Sequence, residues 1–278
     1  MDNRIHHIEV RDRSLVPAEA EVWITATVEQ PTPRPELRGR LMGPHCPYAS
    51  TVEVAYPLRP LPPGHTPEPA GLTRRVIIPE ACLWEPESPF LYQGPIELWQ
   101  DGQRCDRLTL RHGLRSIQLS ERGLRVNGRL LALRGRCLSV CSDEEALMLR
   151  QAGINLLVAP VEDSTLPLWE QADRLGFLML GRVENNSEET RRSLETASRH
   201  PSCLGWILED SEQPDFHLLP RAGLVGLLCE TAPSKLAFSV VHFLVGAPEL
   251  ANLGKPLLVT KYRPAEQGAP SVILGGIA

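Results

Sequence analysis

Three acids, Glu209, Asp210 and Glu212, close the stretch RHPSCLGWILEDSE that runs from 199 to 212. The apolar run just before them, Cys203 to Leu208, reads as a buried strand. Acids at the C-terminal end of a strand stand where barrel enzymes keep their catalytic groups. A carboxyl so placed can give or take a proton as bonds break. Glu162, Asp163 and Glu184 also follow predicted strands and could line the same rim, although each alone reads as a solvated loop acid. Other chemistries lack their residues. His6, His7, His112, His217 and His242 show no metal-ligand spacing, so no metal site is expected. There is no Gly-x-Ser-x-Gly elbow and no phosphate-cradling Gly-x-x-x-x-Gly-Lys loop, and no cofactor is expected.

The elements that must position these acids fall into two stretches. Up to residue 119 the chain reads as short strands: HHIEVR, AEVWITATVE, ELRGRLM, STVEVAY, LTRRVII, PIELWQ and DRLTLRHGLRSIQ. That number and length of strands suits an immunoglobulin-like β-sandwich over 1–119. The proline-rich PLRPLPPGHTPEPAG (57–71) cannot enter a central sheet and reads as a passive loop. After Ser120 the Asn127-Gly128 pair signals a hairpin. Strands and helices then alternate. RCLSV precedes helical DEEALMLRQAG, capped by Ser142 and stopped by Gly153. INLLVAP, helical LPLWEQADRLG, FLMLGRV, helical SEETRRSLETASRH and CLGWILED follow, then helical HLLPRAGLVGLLCE, KLAFSVV, a short APELANLG, LLVTKY and SVILGG. Such alternation implies parallel strands with crossover helices. The expected fold is therefore multidomain, β plus α/β, with the sandwich followed by a shortened (β/α) TIM-type barrel over 120–278.

Composition narrows the function classes. A net charge of −5 excludes the broad basic face of a general nucleic-acid binder. No apolar run is long enough to span a membrane, and MDNRIHHIEV carries no signal-peptide pattern, so a cytoplasmic setting is expected. The 7 cysteines include no Cys-x-x-Cys pair and read as reduced, structural thiols. Lysines number only three, Lys235, Lys255 and Lys261, which makes each position informative.

Several motifs, in order, resemble glycoside hydrolase family 2, the β-galactosidase, β-glucuronidase and β-mannosidase group. LWEPESPFLY (83–92), HGLRSIQ (112–118) and VNGRLLALRG (126–135) resemble the end of that family's immunoglobulin-like domain and the entrance to its barrel. LMLRQAGINLLVAP (147–160) is similar to its first helix and second strand, and LWEQADRLGFLML (168–180) to its second helix and third strand. RHPSCLGWILEDS resembles the fourth strand, and GKPLLVTKY (254–262) the nucleophile strand. The family's N-terminal sugar-binding sandwich has no counterpart, so the chain reads as a truncated member.

The resemblance implies retaining hydrolysis by two carboxyl groups about 5–5.5 Å apart, one as acid/base and one as nucleophile. Transferred onto this sequence, the acid/base position is Ser211 and the nucleophile position is Lys261, before Tyr262. The family's second-strand arginine falls on Val158, and its third-strand Asp-Glu pair on Gly181-Arg182. A hydroxyl cannot serve as a tuned carboxyl does, and an ammonium repels an oxocarbenium-like transition state. The chain therefore reads as catalytically degenerate. The segment between KLAFSVV and LLVTKY looks short by one strand–helix unit. By strand periodicity Glu209 faces the same side as Ser211, one layer deeper, where Lys261 is the natural ion partner of Glu209 or Asp210.

In the resemblance His200 and Pro201 lead into the fourth strand, and the histidine is structural. Asp210, Glu184 and Arg182 are the positions assigned to ligand contact. The alternative is an active retaining or inverting O-glycosyl hydrolase that uses relocated carboxylates among Glu209, Asp210 and Glu212. Expected partners are a carbohydrate ligand, a protein partner or a second copy of the chain.

Overall fold

A computed structural model describes residues 3–30, 34–65, 71–120, 123–209, 217, 219–220, 223–229, 241–246, 257–259 and 271–272. The chain divides into two compact units, one formed by Met1–Trp84 and Ser88–Arg115, the other by Glu85–Glu87 and Ser116–Ala278.

The first unit is built from antiparallel strands. They are β1 (Ile5–Val16), β2 (Glu19–Val28), β3 (Pro35–His45), β4 (Val54–Pro57), β5 (Leu72–Pro79), β6 (Leu91–Gln100) and β7 (Gln103–His112). One sheet has the order β1-β2-β5 and the other β4-β3-β6-β7. In β2 every second residue from Ala20 to Ala26 is fully buried, the period of a strand with one face inward. Those side chains meet Leu37, Leu41, Tyr92 and Ile96 of the other sheet in one core, so the unit is a two-layer sandwich. The Tyr92 hydroxyl accepts from the Cys82 backbone N–H at 2.9 Å, and burial pushes the phenol's pKa up. His112 Nε2 meets Asp12 Oδ1 at 2.7 Å, linking β7 to β1.

One expectation here needs correcting. DRLTLRHGLRSIQ is not a single strand: β7 ends at His112 and β8 (Ile117–Ser120) begins a separate sheet. The intervening Leu114 is fully buried in the sandwich core, while Asn127 takes the backbone of Ser116 through both its N–H and its Oδ1. Two sets of partners pull the segment apart. The sheet is completed by β9 (Gly123–Val126) and β10 (Arg129–Leu130), joined by Asn127-Gly128. Both turn residues have positive φ, 51° and 78°, the geometry that favours Asn-Gly in a tight hairpin.

The second unit then alternates strand and helix. In order come β11 (Gly135–Cys137), α1 (Asp143–Gln151), β12 (Leu156–Pro160), a 3₁₀ turn (Asp163–Thr165), α2 (Leu166–Leu175), β13 (Leu178–Val183), α3 (Glu188–Ala197) and β14 (Cys203–Glu209). These are followed by β15 (Leu224–Cys229), β16 (Phe243–Gly246), β17 (Leu257–Val259) and β18 (Ser271–Val272). Strands β11 to β17 lie side by side in chain order and all pair in parallel, while β18 runs antiparallel along β11. This curled parallel sheet with helices against it is a partial (β/α) barrel. Among the described residues no pairing joins β17 to β18. The core between sheet and helices joins Leu157, Met179, Trp206 and Leu227 to Ala146, Trp169, Ala172 and Leu194. Leu156, Leu178 and Leu180 on the other face are fully buried as well, as parallel strands require.

The later half of this unit departs from the expected pattern. Leu224–Cys229, expected within a helix, is β15. An apolar run this short satisfies a strand buried on both faces as well as a helix, and its ladders with both β14 and β16 make it a strand. A Cβ at Gly226 would stand 2.4 Å from the Phe243 ring, so a larger residue there would require that ring to shift. Residues 235–240 of KLAFSVV and the whole of APELANLG lie outside the described residues, and the next described strand is β16. Most of the segment before LLVTKY, expected to be short by one strand–helix unit, lies outside the described residues. SVILGG supplies an antiparallel strand where a parallel one was expected.

Ser142 caps α1 as expected. Its Oγ accepts from the Glu145 N–H at 3.2 Å, and Glu145 Oε2 accepts from the Ser142 N–H at 2.9 Å. The Ser142 backbone N–H and then its hydroxyl hold the Glu145 carboxyl below its usual pKa. A lowered carboxylate pKa stabilises above the unfolded value of about 4.3 and loses that contribution as pH falls through the folded value. Ser142→Ala should cost about 1 kcal/mol at pH 7. In thermal unfolding the part of that deficit due to the Ser142 hydroxyl's bond to Glu145 Oε2 should fade below about pH 4, while the part due to the capped Glu145 N–H should persist. No helix among the described residues is long and apolar enough to cross a membrane.

Candidate functional site

The C-terminal ends of β11 to β14 form the rim that the sequence marks for function. Cys137 at the end of β11 pairs with Val158, Val158 with Leu180, and Pro160 with Arg182, which pairs with Ile207. Val158 is buried, 7% exposed, at the position where the resemblance expects an arginine. Burial raises the Cys137 thiol's pKa, and the nearby Arg182 guanidinium opposes that rise. Arg182 Nε donates to Glu184 Oε1 at 2.8 Å, and the second guanidinium nitrogen reaches the same oxygen. Both side chains are over two-fifths exposed, at 41% and 47%, so the pair is a solvated rim contact worth about 0–1 kcal/mol.

Gly181 lies on the other face of the sheet. A Cβ there would stand 2.5 Å from Val161 Cγ2 and 2.8 Å from Trp206 Cε3. Gly181→Asp, which places an acid where the resemblance expects one, should therefore overpack the helix-facing core by about 1–3 kcal/mol. Thermal unfolding checks this directly, and an unchanged melting temperature would contradict the packing argument.

The remaining rim acids stand apart. Glu162 is exposed and accepts from Ser164 Oγ at 2.6 Å. Asp163 accepts from Ser193 Oγ at 2.5 Å, tying the 3₁₀ turn to α3. Glu209 closes β14 with its backbone in register with Leu228. Asp210, Ser211, Glu212 and Lys261 lie outside the described residues. The structure thus brings Arg182 and Glu184 together, leaves Glu162 on its neighbour Ser164 and ties Asp163 to Ser193 of α3. His242 is structural: its Nδ1 accepts from the Val225 N–H at 3.0 Å. Among the described residues no three His, Cys, Asp or Glu side chains are grouped to hold a metal ion.

Asp173 was not singled out from the sequence, yet it anchors the approach to β14. It is 2% exposed, with Oδ2 at 2.6 Å from His200 Nδ1 and Oδ1 accepting from the Ser202 N–H at 2.9 Å. A signal was present. The buried side chains of α2 are Leu168, Trp169, Ala172, Asp173 and Leu175, so the acid sits inside the helix's apolar stripe.

The tryptophans offer little open stacking face. Trp84, Trp169 and Trp206 are fully buried. Trp23 and Trp99 are each covered by a guanidinium, Arg13 at 4.5 Å and Arg38 at 4.6 Å from the ring centre.

No family model and no curated protein matches this chain. Solved structures do. A glycosyl hydrolase family 2 member from Bacteroides cellulosilyticus superposes with a TM-score of 0.67 at 17% identity, covering 92% of this chain and 40% of that one. The fold is shared with family 2 glycosyl hydrolases. Parabacteroides merdae β-glucuronidase aligns at 14% identity and TM-score 0.60, over 88% of this chain and 35% of its own. A putative β-galactosidase from Bacteroides fragilis gives 15%, 0.62, 88% and 43%. The chain thus has a family 2 fold over most of its length and spans less than half of each of these enzymes.

Proposed function

We propose that this chain is a catalytically inactive relative of the family 2 glycosidases that acts as a protein-interaction scaffold. An immunoglobulin-like sandwich over 1–119 would precede the barrel over 120–278. The three-on-four strand arrangement supports that assignment, as does Tyr92, which starts β6 and bonds back to the backbone at Cys82. The observation that carries the inactive reading is the pair Ser211 and Lys261, standing where the resemblance puts the two carboxyl groups. Neither can form the glycosyl ester or protonate a leaving oxygen as a carboxyl does. Buried Val158 and the Arg182–Glu184 pair support the same reading on the neighbouring strands. Lys261 would pair with Glu209 or Asp210 and fill the former pocket. Three of the five tryptophans are fully buried, which leaves few indole faces for a pyranose ring to stack on and favours a protein partner.

The test is a panel of chromogenic β-glucuronide, β-galactoside and β-mannoside substrates. No release above buffer is expected. Turnover that disappears in Asp210→Asn or Glu209→Gln would instead establish relocated carboxylates, and with them an active hydrolase. A rise in melting temperature with glucuronate, galactose or mannose would assign a carbohydrate ligand in place of the scaffold role.

A further inference from the structure

We draw no further inference here: the strongest candidate, the exposed apolar surface of α1 and the loop before it (Val140, Leu147 and Met148), carries nothing because nothing in the structure shows what covers it.

Discussion

Gly205→Ala is expected to remove the cooperative thermal transition of the barrel unit or lower it steeply. At Gly205 a Cβ would stand 1.9 Å from the Leu224 carbonyl oxygen, 2.6 Å from its nitrogen and 2.7 Å from its carbonyl carbon. All three are backbone atoms of the neighbouring strand, so no rotamer change can relieve the clash. Gly205 and Leu224 are in register where β14 meets β15, and a Cβ at Gly223 would lie 3.0 Å from the Gly205 Cα. The strands approach this closely only because both positions lack side chains. Separating them would break the parallel ladder that continues through Trp206–Val225 to Glu209–Leu228. The cost should exceed about 3 kcal/mol, beyond the ordinary range for overpacking.

Gly128→Ala is the matched comparison. Gly128 has φ 78° and nothing within 4 Å of an added Cβ, so only conformational strain applies, about 1–2 kcal/mol. If the two variants lose the same stability, close strand approach is not what Gly205 provides.

Much of the architecture was legible because local signals agreed with the fold. Ser142 followed three residues later by Glu145 marks the start of α1, and Gly176, left-handed at φ 78°, ends α2 where LPLWEQADRLG stops. Asn127-Gly128 fixes its hairpin by backbone preference alone. Reading failed where a segment is apolar throughout. LVGLLC lacks both the period of two and the period of 3.6, because β15 is buried between β14 and β16 and both faces must be apolar. The strand is specified by its ladders with β14 and β16, where Phe243 lies over Gly226, a contact across 17 residues that no local pattern contains.

The candidate site was legible in a different sense. Positions such as Val158 and Gly181-Arg182 are conspicuous only through a resemblance that says what stood there in relatives. Periodicity alone makes Val158 an ordinary strand residue, and its burial between Cys137 and Leu180 agrees with that. Asp173 is the opposite case. Its importance follows from burial and from partners on the segment leading into β14, neither of which the resemblance mentions. Among the described residues the buried carboxylate, Asp173, is thus on the helix side of the sheet, away from the rim.

Asp173→Ala is expected to cost about 3 kcal/mol, the upper end of the range for leaving a buried hydrogen-bond donor without its acceptor. Three groups lose their acceptor or their support. The Ser202 N–H, fully buried, would have no carbonyl or carboxylate in its place. His200 would lose its 2.6 Å contact while remaining against Trp169, whose ring centre is 6.1 Å from its own. Trp169 in turn lies 5.8 Å from Trp206, so the cavity opens beside the main core of the unit. A loss of that size should lower the unit's melting temperature by roughly 10 °C. Asp173→Asn should be milder, because an amide oxygen can still accept from Ser202 while its NH₂ faces the imidazole. A double-mutant cycle with His200→Ala separates the two contacts. Coupling of about 1 kcal/mol or more between 173 and 200 would assign much of the effect to the pair. Additive losses would place it on the Ser202 N–H instead, and an Asp173→Ala protein as stable as the parent would remove Asp173 as the anchor of the β14 approach.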